Sequence, residues 1–152
     1  MSKRIKRKLP TRPAITGGYV MEDQVGFLMR VAMQRHTSIF TSRMVGGLTQ
    51  TQFAALAKLA EVGTCSQNHF GRLIYLDAAT IKGVVDRLRI RKLVTLDGDP
   101  TDRRRSMISL TRAGRRVAEK AVAVAHRITA ETLVPLKRTE QRQVVRLLKK
   151  MI

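Results

Sequence analysis

Apolar residues recur at three- and four-residue steps through most of the chain, the period of amphipathic helices rather than of strands. Between about Tyr19 and Met44 the positions Val25, Leu28, Met29, Ala32, Ile39 and Phe40 predict one long helix, which Gly46-Gly47 ends. Thr49 stands three residues before Gln52, a spacing at which each side chain can satisfy the other's backbone N–H. Phe53, Leu56, Leu59 and Ala60 carry the second helix on to Gly63. Ser66 is placed to cap a short third helix with Phe70, Leu73 and Ile74. Asp77 is placed to cap a fourth, in which Ile81, Val84, Val85 and Leu88 form an i, i+3, i+4, i+7 stripe.

After Leu93 the period changes. Val94-Thr95-Leu96 and Met107–Leu110 predict two short strands around a turn rich in Gly98, Asp99 and Pro100. Thr111 then caps a long helix with Val117, Ala121, Val124 and Ile128 on one side. Pro135 interrupts it, and Thr139 begins a last helix carrying Val144, Leu147, Leu148 and Met151. Four helices, a hairpin and two helices make the fold class mainly α with a small β-wing.

Charge changes the picture more than length does. The 152 residues suit one ordinary domain, but 30 Lys+Arg against 11 Asp+Glu give a net charge of +19. The excess is local. Six cations and no acid lie in residues 1–13, whereas residues 14–71 are nearly neutral. Residues 72–116 carry +7 and residues 117–152 carry +5. A surplus of this size points to a polyanion, nucleic acid before anionic membrane. Residues 1–18, with Pro10 and Pro13, predict a basic, disordered arm, either lying along phosphates or simply keeping the terminus soluble.

The short third and fourth helices, a tight connection at Leu76-Asp77 and a charged hairpin immediately after form the order of a winged helix-turn-helix, whose second helix enters the major groove. With Ile81, Val84, Val85 and Leu88 turned inward, the fourth helix presents Ala79, Lys82, Gly83, Asp86 and Arg87 outward, with Thr80 at the edge. Small residues let the backbone approach base edges. Lys82 suits guanine acceptors or a phosphate, and Thr80 a phosphate or a thymine methyl. Arg103, Arg104 and Arg105 crowd the hairpin tip, where a narrow minor groove would relieve their mutual repulsion and Asp102 is placed to orient one guanidinium.

LTQTQFAALAKLA, DAATIKGVVDRL and DPTDRRRSMISLTRAG together resemble the multiple-antibiotic-resistance-regulator (MarR) family of bacterial transcription factors, from about residue 20 to the C-terminus. The wing's Asp102 and Arg104 and the LT-x-x-G that opens the fifth helix belong to the resemblance. It implies a homodimer on a palindromic double-stranded operator, repression relieved by a small ligand, and a cytoplasmic protein. In that organisation residues 19–152 are one domain. The DNA-binding lobe spans about 48–111, and the dimerisation helices about 19–45 and 112–152. By the same resemblance Thr80, Lys82 and Arg87 fall on recognition-helix positions and Arg104 on a minor-groove arginine. Lys92 stands where such proteins usually carry the glycine that ends the recognition helix, and it adds a phosphate contact there.

Apolar stripes on the first and last two helices exceed what one winged domain can bury, and a second copy would cover them. A two-fold dimer sets its half-sites roughly 10 bp apart or a multiple of that. His36 lies on the apolar face between Ala32 and Phe40. It reads either as a core or interface histidine or as a donor to the carboxylate or phenolate of an effector, with Phe40 and Phe53 as walls. The stretch Val25–Phe40 and SQNHFGRL look most similar to family members that control breakdown of aromatic acids, which implies an aromatic acid, a phenolic or its coenzyme A thioester as effector.

Other classes fit less well. No phosphate-cradling glycine loop, H-E-x-x-H, nucleophile elbow or acidic metal cluster is present, which argues against an enzyme, and nothing calls for a cofactor. Cys65 and His69 are too few ligands for structural zinc, and His126 stands alone. Redox sensing through Cys65, just before the third helix, is one alternative. A sequence-indifferent architectural DNA-binding protein is another, since +19 binds any duplex at low salt. The arm has no apolar face to insert in a membrane.

Overall fold

The computed structural model describes residues 17–102 and 105–152. Most of the expected arm, residues 1–16, and the wing residues Arg103 and Arg104 lie outside the described residues. The chain separates into two compact units, with the boundary between Gln34 and Arg35.

In the first unit a 3₁₀ turn, Met21–Asp23, precedes α1, Val25–Arg43, whose residues from Arg35 onward belong to the second unit. The long helix therefore starts six residues later than Tyr19. Gln24 is extended (φ −85°, ψ 129°), and its side chain folds back to donate to Val20 O at 2.9 Å. Within this unit the Arg30 guanidinium lies 5.1 Å from the Phe27 ring centre and donates to Gln34 Oε1. Val25, Leu28, Met29, Val31 and Met33 are exposed on the single chain.

The second unit contains the rest: α2 (Gln50–Val62), β1 (Cys65–Ser66), α3 (Gln67–Leu73), α4 (Ala78–Ile90), β2 (Val94–Gly98), β3 (Ser106–Leu110), α5 (Arg112–Leu133) and α6 (Arg138–Leu148). The expected two-stranded hairpin is a three-stranded antiparallel sheet in the order β1-β3-β2, with Cys65 opposite Ile108 and Val94 opposite Leu110. A two-residue strand shows no alternation, so β1 left no trace in the hydrophobic pattern.

Four predicted caps form. Thr49 and Gln52 make a reciprocal capping box on α2, both bonds at 3.2 Å. Ser66 accepts from His69 N, Asp77 from Thr80 N (2.9 Å), and Thr111 from Gly114 N (2.9 Å). The last helix begins at Arg138 rather than Thr139, because the Glu140 carboxylate accepts from Lys137 N at 2.7 Å.

The core gathers the predicted stripes. Leu56, Leu59, Phe70, Ile81, Val85, Leu88 and Ile108 are each no more than 2% exposed. The α4 stripe decides that helix's fate. Burying a side chain of this size stabilises by about 1.5–3 kcal/mol, so four outweigh the roughly 1 kcal/mol that Gly83 costs in mid-helix. A second cluster joins Phe40 to Val124 and Ile128.

The LT-x-x-G motif now has a physical meaning. A Cβ on Gly114 would stand 1.9 Å from Leu93 O, so only glycine lets α5 pack there. Thr111, besides capping α5, donates its backbone N–H to Leu93 O (3.1 Å) and its hydroxyl to Lys92 O (2.8 Å). The end of α4 and the start of α5 are thus one joint.

Candidate nucleic-acid interface and effector cavity

Asp77 sets the start of α4 twice, accepting from Thr80 N at 2.9 Å and from Thr80 Oγ1 at 2.6 Å. Those bonds hold the Asp77 carboxyl below the ordinary carboxylate range. The Thr80 hydroxyl proton is therefore already committed, and what Thr80 offers outward is its methyl group and the oxygen's remaining lone pair. Lys82 and Arg87 are exposed on the same helix. The Arg87 guanidinium leans back over Gly83, within 3.8 Å of where a Cβ would sit. Ala79, Thr80 and Gly83 leave that face low, so a duplex can come close to the backbone.

The far end of α4 carries the backbone feature that a glycine usually supplies. Lys92 has φ +58°, its N–H donates to Arg89 O (2.8 Å), and Leu93 N donates to Leu88 O (2.9 Å). This is a Schellman closure with lysine in the left-handed position. Tyr75, at φ +55°, closes α3 the same way: its own N–H donates to Arg72 O and Leu76 N to Gly71 O. Tyr75 is 79% exposed. Sequence reasoning missed it, because nothing in a hydrophobic pattern marks a left-handed tyrosine.

In the wing, Arg105 Nε lies 3.3 Å from Asp102 Oδ2, and Thr101 donates to Asp99 Oδ1 through both its N–H and its hydroxyl. The second set pulls the Asp99 carboxyl below its ordinary range. Asp102 thus pairs with Arg105, while Arg103 and Arg104 lie outside the described residues. A polar cavity of about 600 Å³ opens where α3 meets β3, and Asn68, His69, Arg72 and Arg105 line it. His69, which with Cys65 makes too few ligands for structural zinc, stands here beside Arg72 and Arg105. Among the described residues no group of three or more His, Cys, Asp or Glu could hold a metal ion.

A second cavity, about 470 Å³, lies between the C-terminal half of α1 and the start of α2, lined among others by Thr37, Phe40, Met44, Leu48 and Thr51. Of the three expected effector residues, Phe40 lines it. Phe53 packs behind Phe40 with ring centres 5.9 Å apart, and His36 stands one turn before Phe40 at 6.4 Å. His36 Nδ1 lies 2.9 Å from Thr132 Oγ1, and Thr132 Oγ1 itself donates to Ile128 O at 2.8 Å. The threonine proton is spent, so His36 Nδ1 must donate. In the neutral ring, Nε2 is then an acceptor. Outside that cavity's lining, Arg43 grips Glu131 through Nε (3.0 Å) and Nη2 (3.2 Å), and Arg35 donates to Glu131 O and Thr132 O. Arg43 holds the Glu131 carboxyl below its ordinary range.

Cys65 is partly buried in β1, and burial pushes its thiol up. No helix among the described residues is long and apolar enough to cross a membrane.

The comparisons with known proteins agree with this geometry. The family model described as "MarR family" matches residues 46–105, the stretch from the α1–α2 loop to the wing. The chain is 38% identical to "HTH-type transcriptional repressor NicR" of Pseudomonas putida, covering 88% of this chain and 85% of that one. It is similar to the crystal structure of a "probable transcriptional regulator" from Pseudomonas aeruginosa, at 46% identity and TM-score 0.85 over 88% of this chain and 100% of that one. It also resembles Bordetella bronchiseptica BpsR, whose DNA binding is regulated by 6-hydroxynicotinic acid. There the identity is 40% and the TM-score 0.79, over 85% and 98% of the two chains. A three-stranded wing on a helix-turn-helix, relatives of this identity and a family match over the same residues lead to one conclusion: the chain belongs to the MarR family and is a winged-helix transcriptional regulator, not an enzyme.

Proposed function

We propose that the protein is a cytoplasmic homodimeric repressor that leaves a palindromic operator when a small hydroxylated aromatic acid binds it, and that it controls genes for breakdown of such compounds. In this reading residues 48–111 form the DNA-binding lobe, and residues 19–45 and 112–152 form the dimerisation helices. Thr80, Lys82, Gly83 and Arg87 meet base edges and phosphates in the major groove. Lys92 meets a phosphate, and Arg103, Arg104 and Arg105 reach the minor groove. Asn68, His69 and Arg72, beside Arg105, add a phosphate cradle next to the recognition helix.

The observation that carries the effector reading is the cavity at Phe40, whose volume falls within the ordinary range of small-ligand sites. The His36–Thr132–Ile128 relay refines it. A neutral His36 offers an acceptor, which suits a phenolic hydroxyl or a ring N–H; a carboxylate needs the ring protonated. Regulation of the DNA binding of BpsR by 6-hydroxynicotinic acid supports the same class of compound, and the repressor NicR among the relatives supports repression.

The test is footprinting on DNA upstream of the protein's own gene at physiological salt, with 6-hydroxynicotinic acid, nicotinic acid, 4-hydroxybenzoic acid, benzoic acid and the coenzyme A thioesters of the two benzoic acids. A short two-fold footprint abolished by a hydroxylated acid, and less by its unhydroxylated partner, is the expected result. His36→Ala should remove that preference and leave the footprint. A footprint that no compound moves refutes the effector reading. Uniform coverage without a boundary would make the protein an architectural DNA binder, the alternative that a charge of +19 supports.

A further inference from the structure

The recognition helix ends on a residue that reaches back to the wall of the other cavity. Arg91, the C-cap of α4, sends its guanidinium to the connection between α1 and α2. Nη2 donates to Gly46 O at 2.5 Å and Nη1 to Gln52 Oε1 at 3.4 Å. Gln52 is 8% exposed, and the same Oε1 accepts from Thr49 N at 3.2 Å. Arg91, Gln52 and Thr49 therefore form a continuous chain of hydrogen bonds. Its far end is the segment Gly47–Thr51, which walls the 470 Å³ cavity.

The geometry suits a transmitter better than a brace. Gly46 (φ +69°) and Gly47 (φ +58°) are consecutive left-handed residues, so the segment can reorient without a Cβ penalty. A guanidinium is a planar fork whose donors hold a fixed relation to one another. When its two acceptors move apart the fork must let one of them go, and with it part of the tie between this segment and the backbone that carries the side chain. That backbone is the last turn of α4, whose carbonyl ladder runs to the DNA-facing residues, Arg91 N donating to Arg87 O at 3.2 Å. The other ties at this joint, from Thr111 to Lys92 O and Leu93 O, lead to α5 and touch neither acceptor.

We propose that Arg91 is a positioning residue that couples the Gly46–Gln52 segment to the seating of α4 on DNA, so that a molecule in the cavity releases the operator through this fork. The effector arm rests on the reading above; the DNA arm does not. Coupling between two sites is reciprocal, so operator binding must reach the segment as surely as an effector reaches the operator.

The experiment uses the full-length protein, Arg91→Ala and Arg91→Lys, and the duplex that the footprint defines. Amide hydrogen exchange is followed over residues 46–52 with and without saturating duplex. In the wild type the duplex slows exchange there by at least about fivefold, the lower end of ordinary coupling between sites. In Arg91→Ala the slowing vanishes, and in Arg91→Lys, where a single ammonium cannot hold two divergent acceptors, it is partial. The ratio of operator affinities without and with 6-hydroxynicotinic acid falls toward one in the same order. A wild-type segment indifferent to duplex overturns the proposal. So does an Arg91→Ala segment protected as in the wild type, which would leave Arg91 a simple phosphate contact whose loss weakens DNA binding and is restored in full by lysine. If the wild type responds to no compound, the effector reading fails, and the exchange comparison still decides Arg91.

Discussion

Two glycines inside helices should answer the same substitution with opposite signs. At Gly114 an added Cβ meets Leu93 O at 1.9 Å and the Leu93 carbonyl carbon at 2.8 Å, against a floor of 3.0 Å for real Cβ contacts. The obstacle is backbone, so α5 or the α4–β2 joint must shift by more than an ångström. That shift strains the bond from Thr111 N to Leu93 O and the Thr111 hydroxyl bonds at the same place. Losing a hydrogen bond costs about 1 kcal/mol net, and a buried group left without a partner costs about 1–3 kcal/mol. The better helix propensity of alanine returns only about 1 kcal/mol. Gly114→Ala should therefore destabilise by about 2–4 kcal/mol, lowering Tm by roughly 5–15 °C for a chain of this size. At Gly83 the nearest atoms are the tips of the Arg87 side chain at 3.8 and 3.9 Å, which can swing away. Gly83→Ala should stabilise by about 0.5–1 kcal/mol. It should also weaken operator binding by about 1–3 kcal/mol, the usual cost of spoiling one base contact. Thermal and urea unfolding followed by circular dichroism, with a fluorescence titration of the operator, separate the two effects. If both variants shift Tm in the same direction, or if Gly83→Ala binds operator as well as the wild type, the placement of these helices is wrong.

Lys92→Gly should raise stability by up to about 1 kcal/mol, since a left-handed non-glycine residue costs about 1–2 kcal/mol and glycine's extra entropy about 0.5–1. The same change should lower the salt slope of DNA binding by about one, and a loss of stability would contradict the Schellman geometry. Asp77 should shape the acid limb of the stability curve. Its carboxyl is depressed in the folded state, so it contributes stability above the ordinary carboxyl pKa of 3.8, and that contribution is lost as pH falls through the lowered value. Asp77→Asn keeps a capping oxygen but cannot titrate, so the gap in Tm between wild type and variant should close from pH 7 down to pH 2; an unchanged gap would refute the assignment. Burial keeps the Cys65 thiol protonated, so peroxide should leave operator binding intact and Cys65→Ser should behave as the wild type. Release of the wild type alone would restore the redox alternative.

The elements whose stability is local were legible in the sequence. Caps at Thr49, Ser66, Asp77 and Thr111 are decided within four residues, and the stripe Ile81–Leu88 by helix period alone, so pattern and structure agree there. The misses depend on tertiary partners. Strand β1 exists only because β3 offers it backbone groups, and Gln24 ends the helical run before Val25 by turning its side chain back to Val20. Of the site, Lys82, Gly83 and Arg87 could be placed from the helical wheel. Nothing in the one-dimensional pattern reveals that Thr132 fixes the His36 proton, that Arg91 reaches the Gly46 carbonyl 45 residues away, or that Arg72 shares a cavity with Arg105. Those relations are made by the crossing of elements distant in sequence.

Helix α6 buries none of its residues on its own chain, and Val145, Leu147 and Leu148 remain 40–46% exposed. A helix of 11 residues is marginal in water by itself. In the homodimer proposed above, closing this helix and joining a partner would be a single event, and the fully formed C-terminus would be a property of the pair. The population of competent molecules rises with roughly the square of subunit concentration when subunits are scarce. Newly made or diluted subunits would carry a frayed end that proteases can grip, and paired ones would not. Growth that halves the protein per cell would thin operator occupancy by more than half, giving the regulated genes a threshold in copy number as well as one in ligand.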